Sequence, residues 1–79
     1  MTNLEKYRKA FVDGIGVSED IVDTLTFQAV EQWDSVGHMS LIAALEDAFD
    51  IVFETEDIIG LSSFEKGKEI LAKYGVTIE

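Results

Sequence analysis

The chain has 79 residues, 16 acidic against 6 basic, and neither cysteine nor proline. That length is expected to hold one domain, residues 1–79, with a modest core that buries about 60–65% of the unfolded surface. A net charge of −10 excludes nucleic acid and anionic membrane as electrostatic partners, and the lack of cysteine excludes disulfides.

The first helix is expected over roughly residues 3 to 14. Thr2 and Glu5 have the spacing of a capping box, and Leu4, Tyr7, Phe11 and Ile15 recur at helical steps along one face. Gly14 and Gly16 are expected to stop it. From Ile15 to Trp33 the pattern is too long for an ordinary connection, and an ordered loop is expected. Ser18-Glu19-Asp20 would cap a short turn, and Ile21, Val22, Leu25 and Phe27 would tuck the loop against the helices.

A second helix is expected from Asp34 or Ser35 to about Phe49. Asp34 is a favoured cap and sits where the helix dipole favours an anion. Val36, Met39, Leu41, Ile42, Ala43, Ala44, Leu45, Ala48 and Phe49 give it a broad apolar surface, the pattern of a central helix with several neighbours. A short third helix fits Thr55 to Gly60, with Thr55 as cap and Ile58 and Ile59 pointing inward. The last helix is expected to open with a capping box from Ser62 to Glu65, and Gly75 is expected to end it. Phe64, Leu71 and Tyr74 mark its inner face, with Gly67 placed there for a close backbone approach, to the third helix. Val76-Thr77-Ile78 would trail off. The expected architecture is all-α: a four-helix bundle of three longer helices and one short one, with a long first loop.

The charge is unevenly laid out. Lys6, Arg8 and Lys9 lie near the start and Lys66, Lys68 and Lys73 near the end, with no Lys or Arg between Ala10 and Glu65. That stretch carries thirteen acidic residues, a one-sign field that attracts basic partners and raises encounter rates. The 47% hydrophobic content is that of a folded domain rather than a disordered acidic tail. No apolar run approaches the roughly 18 residues of a membrane span, and Met1-Thr2-Asn3-Leu4-Glu5-Lys6 is not expected to act as a signal peptide. A cytoplasmic monomer without membrane insertion is expected.

Chemistry-bearing motifs are few. One histidine and no cysteine leave no metal ligand set of sensible spacing, and Asp47, Asp50, Glu54 and Glu56 read as a solvated charge run. No phosphate-cradling glycine motif occurs. Ser35 and His38 stand three residues apart, as in a hydrolase dyad, but the nucleophile elbow needs glycine where Trp33 stands. No catalytic residue is expected. Taken alone, Ser35 would be a helix cap; it is followed, however, by Val36-Gly37-His38-Met39 and an apolar helix, inside the all-acidic stretch. His38 reads as exposed, and its charge there would be pH-dependent toward a ligand or partner.

The segment Trp33-Asp34-Ser35-Val36-Gly37-His38-Met39, continued by Leu41-Ile42-Ala43-Ala44-Leu45-Glu46-Asp47-Ala48-Phe49-Asp50-Ile51, resembles the acyl carrier protein family. Its signature is Asp-Ser followed by an aliphatic residue and then an apolar helix that ends in acidic residues and phenylalanine. The resemblance extends from the first capped helix to Tyr74. It implies that Ser35 is esterified by 4′-phosphopantetheine, donated from coenzyme A by a separate phosphopantetheinyl transferase. Asp34 would be the aspartate that helps the transferase and its metal ion act on the serine. It further implies a surface of Val36, Met39, Glu46, Asp47, Glu54, Glu56 and Asp57 for loading and acyl-transferring enzymes with basic patches. Ser40 stands where fatty-acid carriers commonly have glutamate, and the Trp-Asp-Ser-x-Gly-His form looks more like discrete carriers of lipid, polyketide or surface-polysaccharide pathways. An aminoacyl carrier of the D-alanyl type, a peptidyl carrier and an unmodified acidic adaptor for basic proteins are the alternatives.

Overall fold

A computed structural model describes all 79 residues. It is all-helical, with four α-helices and no strand: α1 Asn3–Ile15, α2 Ser35–Phe49, α3 Thr55–Gly60 and α4 Phe64–Lys73, plus a 3-10 turn at Val22–Thr24 in the first loop. This is a small helical bundle. The Thr2–Glu5 capping box forms in both directions, each amide-to-side-chain bond 3.1 Å long, which satisfies free amides at the start of α1. Gly16 alone ends that helix, in the left-handed conformation at φ 81°. Gly14 instead lies inside α1, where a Cβ would come 3.0 Å from Leu41 Cα. It is a point of close approach between α1 and α2, not a stop signal.

The core is built on α1. Tyr7 and Phe11, one turn apart, meet α4 and the first loop through a set of tilted and edge-on aromatic contacts: Tyr7–Phe64 at 4.7 Å, Phe11–Phe64 at 5.1 Å and Phe11–Trp33 at 5.5 Å between centroids. Such pairs add about 0.5–1.5 kcal/mol each beyond their buried area. Leu41, Ile42 and Leu45 of α2, Ile70 and Leu71 of α4, and Val17, Phe53 and Leu61 of the connections add to the interior. The Tyr7 hydroxyl donates to the Phe64 carbonyl at 2.6 Å, and burial pushes the phenol's pKa up.

The first loop is ordered, as expected, and backbone bonds explain why. Phe27 N donates to Ser62 O at 2.8 Å, and Phe64 N to Leu25 O at 2.9 Å, an isolated antiparallel bridge centred on Thr26 and Ser63. Arg8 adds a two-pronged ion pair to Asp23. Val22 and Leu25 are buried, but Ile21 and Phe27 are exposed, so only half of the expected apolar set tucks in.

Further expectations change. Ser63, not Ser62, caps α4, accepting from Lys66 N at 2.9 Å. Glu54 stands at the cap position of α3 without a side-chain bond, and Ile59 is exposed while Asp57 is buried. The C-terminal segment does not trail off, because Asn3 Nδ2 donates to Thr77 O at 2.9 Å and Val76 and Ile78 pack on the core. Gly67 is needed for a close approach, but the neighbour is the Tyr7 hydroxyl of α1 rather than the α3 backbone.

Buried Asp57 latches α3 to α4. One carboxylate oxygen accepts from Lys73 Nζ and the other from the Tyr74 hydroxyl, both at 2.6 Å, and Tyr74 in turn accepts from Glu54 N at 2.9 Å. The Lys73 ammonium first, and then the Tyr74 hydroxyl, hold the Asp57 carboxyl below its ordinary value. A depressed carboxyl stabilises the fold above the unfolded-chain value of about 3.9, and that contribution is lost as pH falls through the folded value. Asp57→Asn is therefore expected to lower the urea midpoint at pH 7. The gap from the parent should close below about pH 4; a gap that stays constant with pH would show that the latch is not ionic.

Candidate functional site

The N-terminal end of α2 gathers most of the residues that the sequence singles out. Asp34 has extended backbone geometry and caps the helix, its Oδ1 accepting from Gly37 N at 2.8 Å while its carbonyl accepts from His38 N at 2.7 Å. Ser35 is thus the first helical residue rather than the cap. Its side chain is exposed, and no hydrogen bond within the chain engages its hydroxyl. Because Asp34 satisfies the amide that a capping serine would take, Ser35 Oγ is left free at the positive end of a 15-residue helix.

The segment leading into α2 is held by a closed turn. Gln28 N donates to Trp33 O and Trp33 N to Val30 O, each at 3.1 Å, with Gln28 itself at a positive φ of 66°. The turn rests directly on α2: a Cβ at Gly37 would collide with the Gln32 carbonyl oxygen. Glycine at that place is a steric requirement of seating the turn against the first turn of the helix. Behind it, Trp33 is fully buried.

His38 is not the exposed side chain expected from the sequence. It is half-buried, with Nδ1 3.0 Å from Trp33 Nε1 and Nε2 2.6 Å from the Ile58 carbonyl. Both ring nitrogens are engaged away from Ser35, so a Ser35–His38 dyad does not form. Beside the ring lies a shallow pocket of about 220 Å³ lined by Phe27, His38, Ile59, Leu61 and Ser62. A larger groove, about 320 Å³, runs between α1 and the C-terminal half of α2, past Ala44, Asp47 and Ala48, at a distance from Ser35 along the helix.

The expected partner-facing residues divide into two groups. Val36 is 77% exposed and Met39 53%, on the same helix as Ser35. Ala43 and Ala48 are exposed too, so α2 buries one stripe of Leu41, Ile42 and Leu45 and leaves apolar surface open; it is not the enclosed helix that its composition suggests. Asp47, Glu54 and Glu56 are exposed. Glu46 is half-buried and turns one carboxylate oxygen to Phe53 N at 2.9 Å. Asp57 is buried in the Lys73–Tyr74 latch, which removes it from the accessible acidic face. Of the six cations, Arg8, Lys9, Lys66, Lys68 and Lys73 are each paired with a carboxylate, and Lys6 lines the α1–α2 groove together with Asp47. No group of three or more His, Asp or Glu side chains converges as metal ligands, and no helix is long and apolar enough to cross a membrane. No protein-family model matches the chain, nor does any curated protein or solved structure.

Proposed function

We propose that this chain is an acyl carrier protein, modified on Ser35 by 4′-phosphopantetheine and presenting its cargo to separate enzymes. The observation that carries this reading is the free, exposed Ser35 hydroxyl, left unbonded by Asp34 at the start of α2. In the modification, Ser35 Oγ forms a new P–O bond to the pantetheine-bearing phosphate of coenzyme A, and the adenosine bisphosphate half leaves. The residues present fit the group: the serine oxygen is reachable, and the N-terminus of α2 favours the negative phosphodiester that would result. When bound, the group supplies a flexible arm ending in a thiol on which an acyl chain is held as a thioester. Asp34 fixes the first turn of α2 and so the direction of the Ser35 side chain. Exposed Val36 and Met39 offer apolar contact, while Asp47, Glu54 and Glu56 offer charge to basic enzymes. On this reading the chain works in the cytoplasm beside its loading and transfer enzymes, in a specialised pathway rather than primary fatty-acid synthesis.

Intact-protein mass spectrometry after incubation with coenzyme A and a phosphopantetheinyl transferase tests the proposal. One added prosthetic-group mass is expected, and none on Ser35→Ala. An unmodified parent, or an addition that persists in Ser35→Ala, overturns it. Salt-sensitive capture of a basic protein that is indifferent to Ser35→Ala would mark the chain as an acidic adaptor instead.

A further inference from the structure

His38 is the only histidine of the chain and Trp33 its only tryptophan, and the two meet beside the start of α2. An indole N–H donates and cannot accept. With Trp33 Nε1 3.0 Å from His38 Nδ1, Nδ1 is the acceptor and carries no proton. The single ring proton therefore sits on Nε2, which donates to the Ile58 carbonyl at 2.6 Å. The imidazole also lies nearly parallel to the indole, at 16°, with the Phe27 ring edge-on at 5.5 Å. One side chain thus bridges the turn before α2, α2 itself and α3.

We infer that His38 is a proton-gated staple: in its neutral form it fastens the Trp33 turn and α3 to the first turn of α2, and on protonation it releases the Trp33 turn while keeping its hold on α3. A second proton goes to Nδ1, the nitrogen that faces the indole N–H, so two donors then stand 3.0 Å apart. The Nε2 bond to the Ile58 carbonyl survives, since Nε2 donates in both states. No carboxylate hydrogen-bonds the ring. From the first loop the ring meets Phe27 and Trp33, and Glu31, the acidic residue of the turn, is exposed. On α3 the nearest carboxylate in sequence, Asp57, is committed to Lys73 and Tyr74, and Glu54 and Glu56 are exposed. On its own helix, Asp34 is committed to Gly37 N. The acidic partner of Arg8, Asp23, lies on the 3-10 turn and is likewise engaged.

The inference goes beyond the carrier reading and is measured on the unmodified chain, so it stands or falls apart from Ser35 modification. The test is nitrogen-15 NMR of the His38 ring and the Trp33 indole N–H, followed from alkaline pH downward until the ring is protonated. At the upper end the expected form is the Nε2–H tautomer. As the ring takes its second proton, the indole N–H should move toward the free-indole shift and exchange faster by about tenfold, the equivalent of one lost hydrogen bond. In His38→Asn, whose side-chain oxygen accepts without titrating, the indole signal should stay constant with pH. An Nδ1–H tautomer, an indole signal that ignores protonation of the ring, or one that titrates alike in His38→Asn overturns the inference. So does cooperative unfolding of the whole chain when His38 is protonated.

Discussion

Gly67→Ala is expected to destabilise the chain by about 3 kcal/mol, the upper end of ordinary overpacking, although alanine is the better helix former by about 1 kcal/mol. The two effects have opposite sign, which makes the substitution decisive. A Cβ at position 67 of α4 collides with the hydroxyl of Tyr7 and lies 3.1 Å from its Cζ. Tyr7 is fully buried between Phe11 and Phe64 and tied to the Phe64 carbonyl, so the ring has no room to swing away. Tyr7→Phe removes the colliding oxygen and leaves a contact that needs only a few tenths of an ångström of relief. Alone it should cost about 1 kcal/mol for the lost hydrogen bond, and Tyr7→Phe/Gly67→Ala should be scarcely less stable than that single variant. Urea denaturation of the four proteins closes the cycle. A chain of this size holds only about 4–12 kcal/mol in all, so the single Gly67 variant should melt visibly earlier. Additive effects would show that α4 shifts to admit the methyl group, and the close packing of α1 on α4 would then not be what glycine serves.

Much of the fold follows from short-range patterns because the forces that set it are local. The Thr2–Glu5 box, the left-handed Gly16 and Gly75, and the Asp34 cap each satisfy or release backbone groups within a turn of themselves. They are therefore readable from neighbouring residues. The errors fall where the deciding partner is distant in sequence. Ser62 and Ser63 are equally good caps by type, and Ser63 wins because Ser62 gives its carbonyl to Phe27 N across the first loop. Ile59 looks like core until Asp57 is drawn inward by Lys73 and Tyr74, sixteen and seventeen residues further on, which rotates α3 and turns Ile59 to solvent.

The site shows the same division. Ser35 and Asp34 are legible, since a cap and the residue after it are adjacent. That Asp34 rather than Ser35 does the capping leaves the Ser35 hydroxyl free. His38 looks exposed because it follows polar residues at a helix start; its partners are an indole five residues back and a carbonyl twenty residues ahead. The breadth of apolar residues on α2 has a different explanation from the one its composition suggests. Only Leu41, Ile42 and Leu45 are needed inside, and Val36 and Met39 remain outside on the helix that carries Ser35. Burial against three neighbours and exposure for a partner give the same hydrophobic string.

Gly37→Ala is expected to unseat the turn before α2, and its effect should be concentrated at the site. The obstacle is backbone: the new Cβ meets the Gln32 carbonyl oxygen and comes 3.1 Å from its carbon, so no rotamer change relieves the collision. The turn closed by Gln28 and Trp33 must retreat from α2. A retreat of even one ångström lengthens the 3.0 Å Trp33–His38 bond beyond hydrogen-bond range and opens the pocket around the indole. The expected loss is about 3 kcal/mol, accompanied by a red shift of Trp33 emission that appears in the folded protein before any melting. Gly60→Ala is the matched control, because a Cβ there meets only Ile70 Cδ1 at 4.0 Å; it should leave the emission unchanged and the midpoint level or slightly raised, since alanine is the better helix former. Comparing the rate of Ser35 modification in the two variants then separates a site that merely exposes a hydroxyl from one that must hold it in place. A slowed Gly37→Ala with a normal Gly60→Ala would mean that the turn is part of what a transferase reads. Equal rates, with the emission shifted, would mean that the free hydroxyl alone suffices.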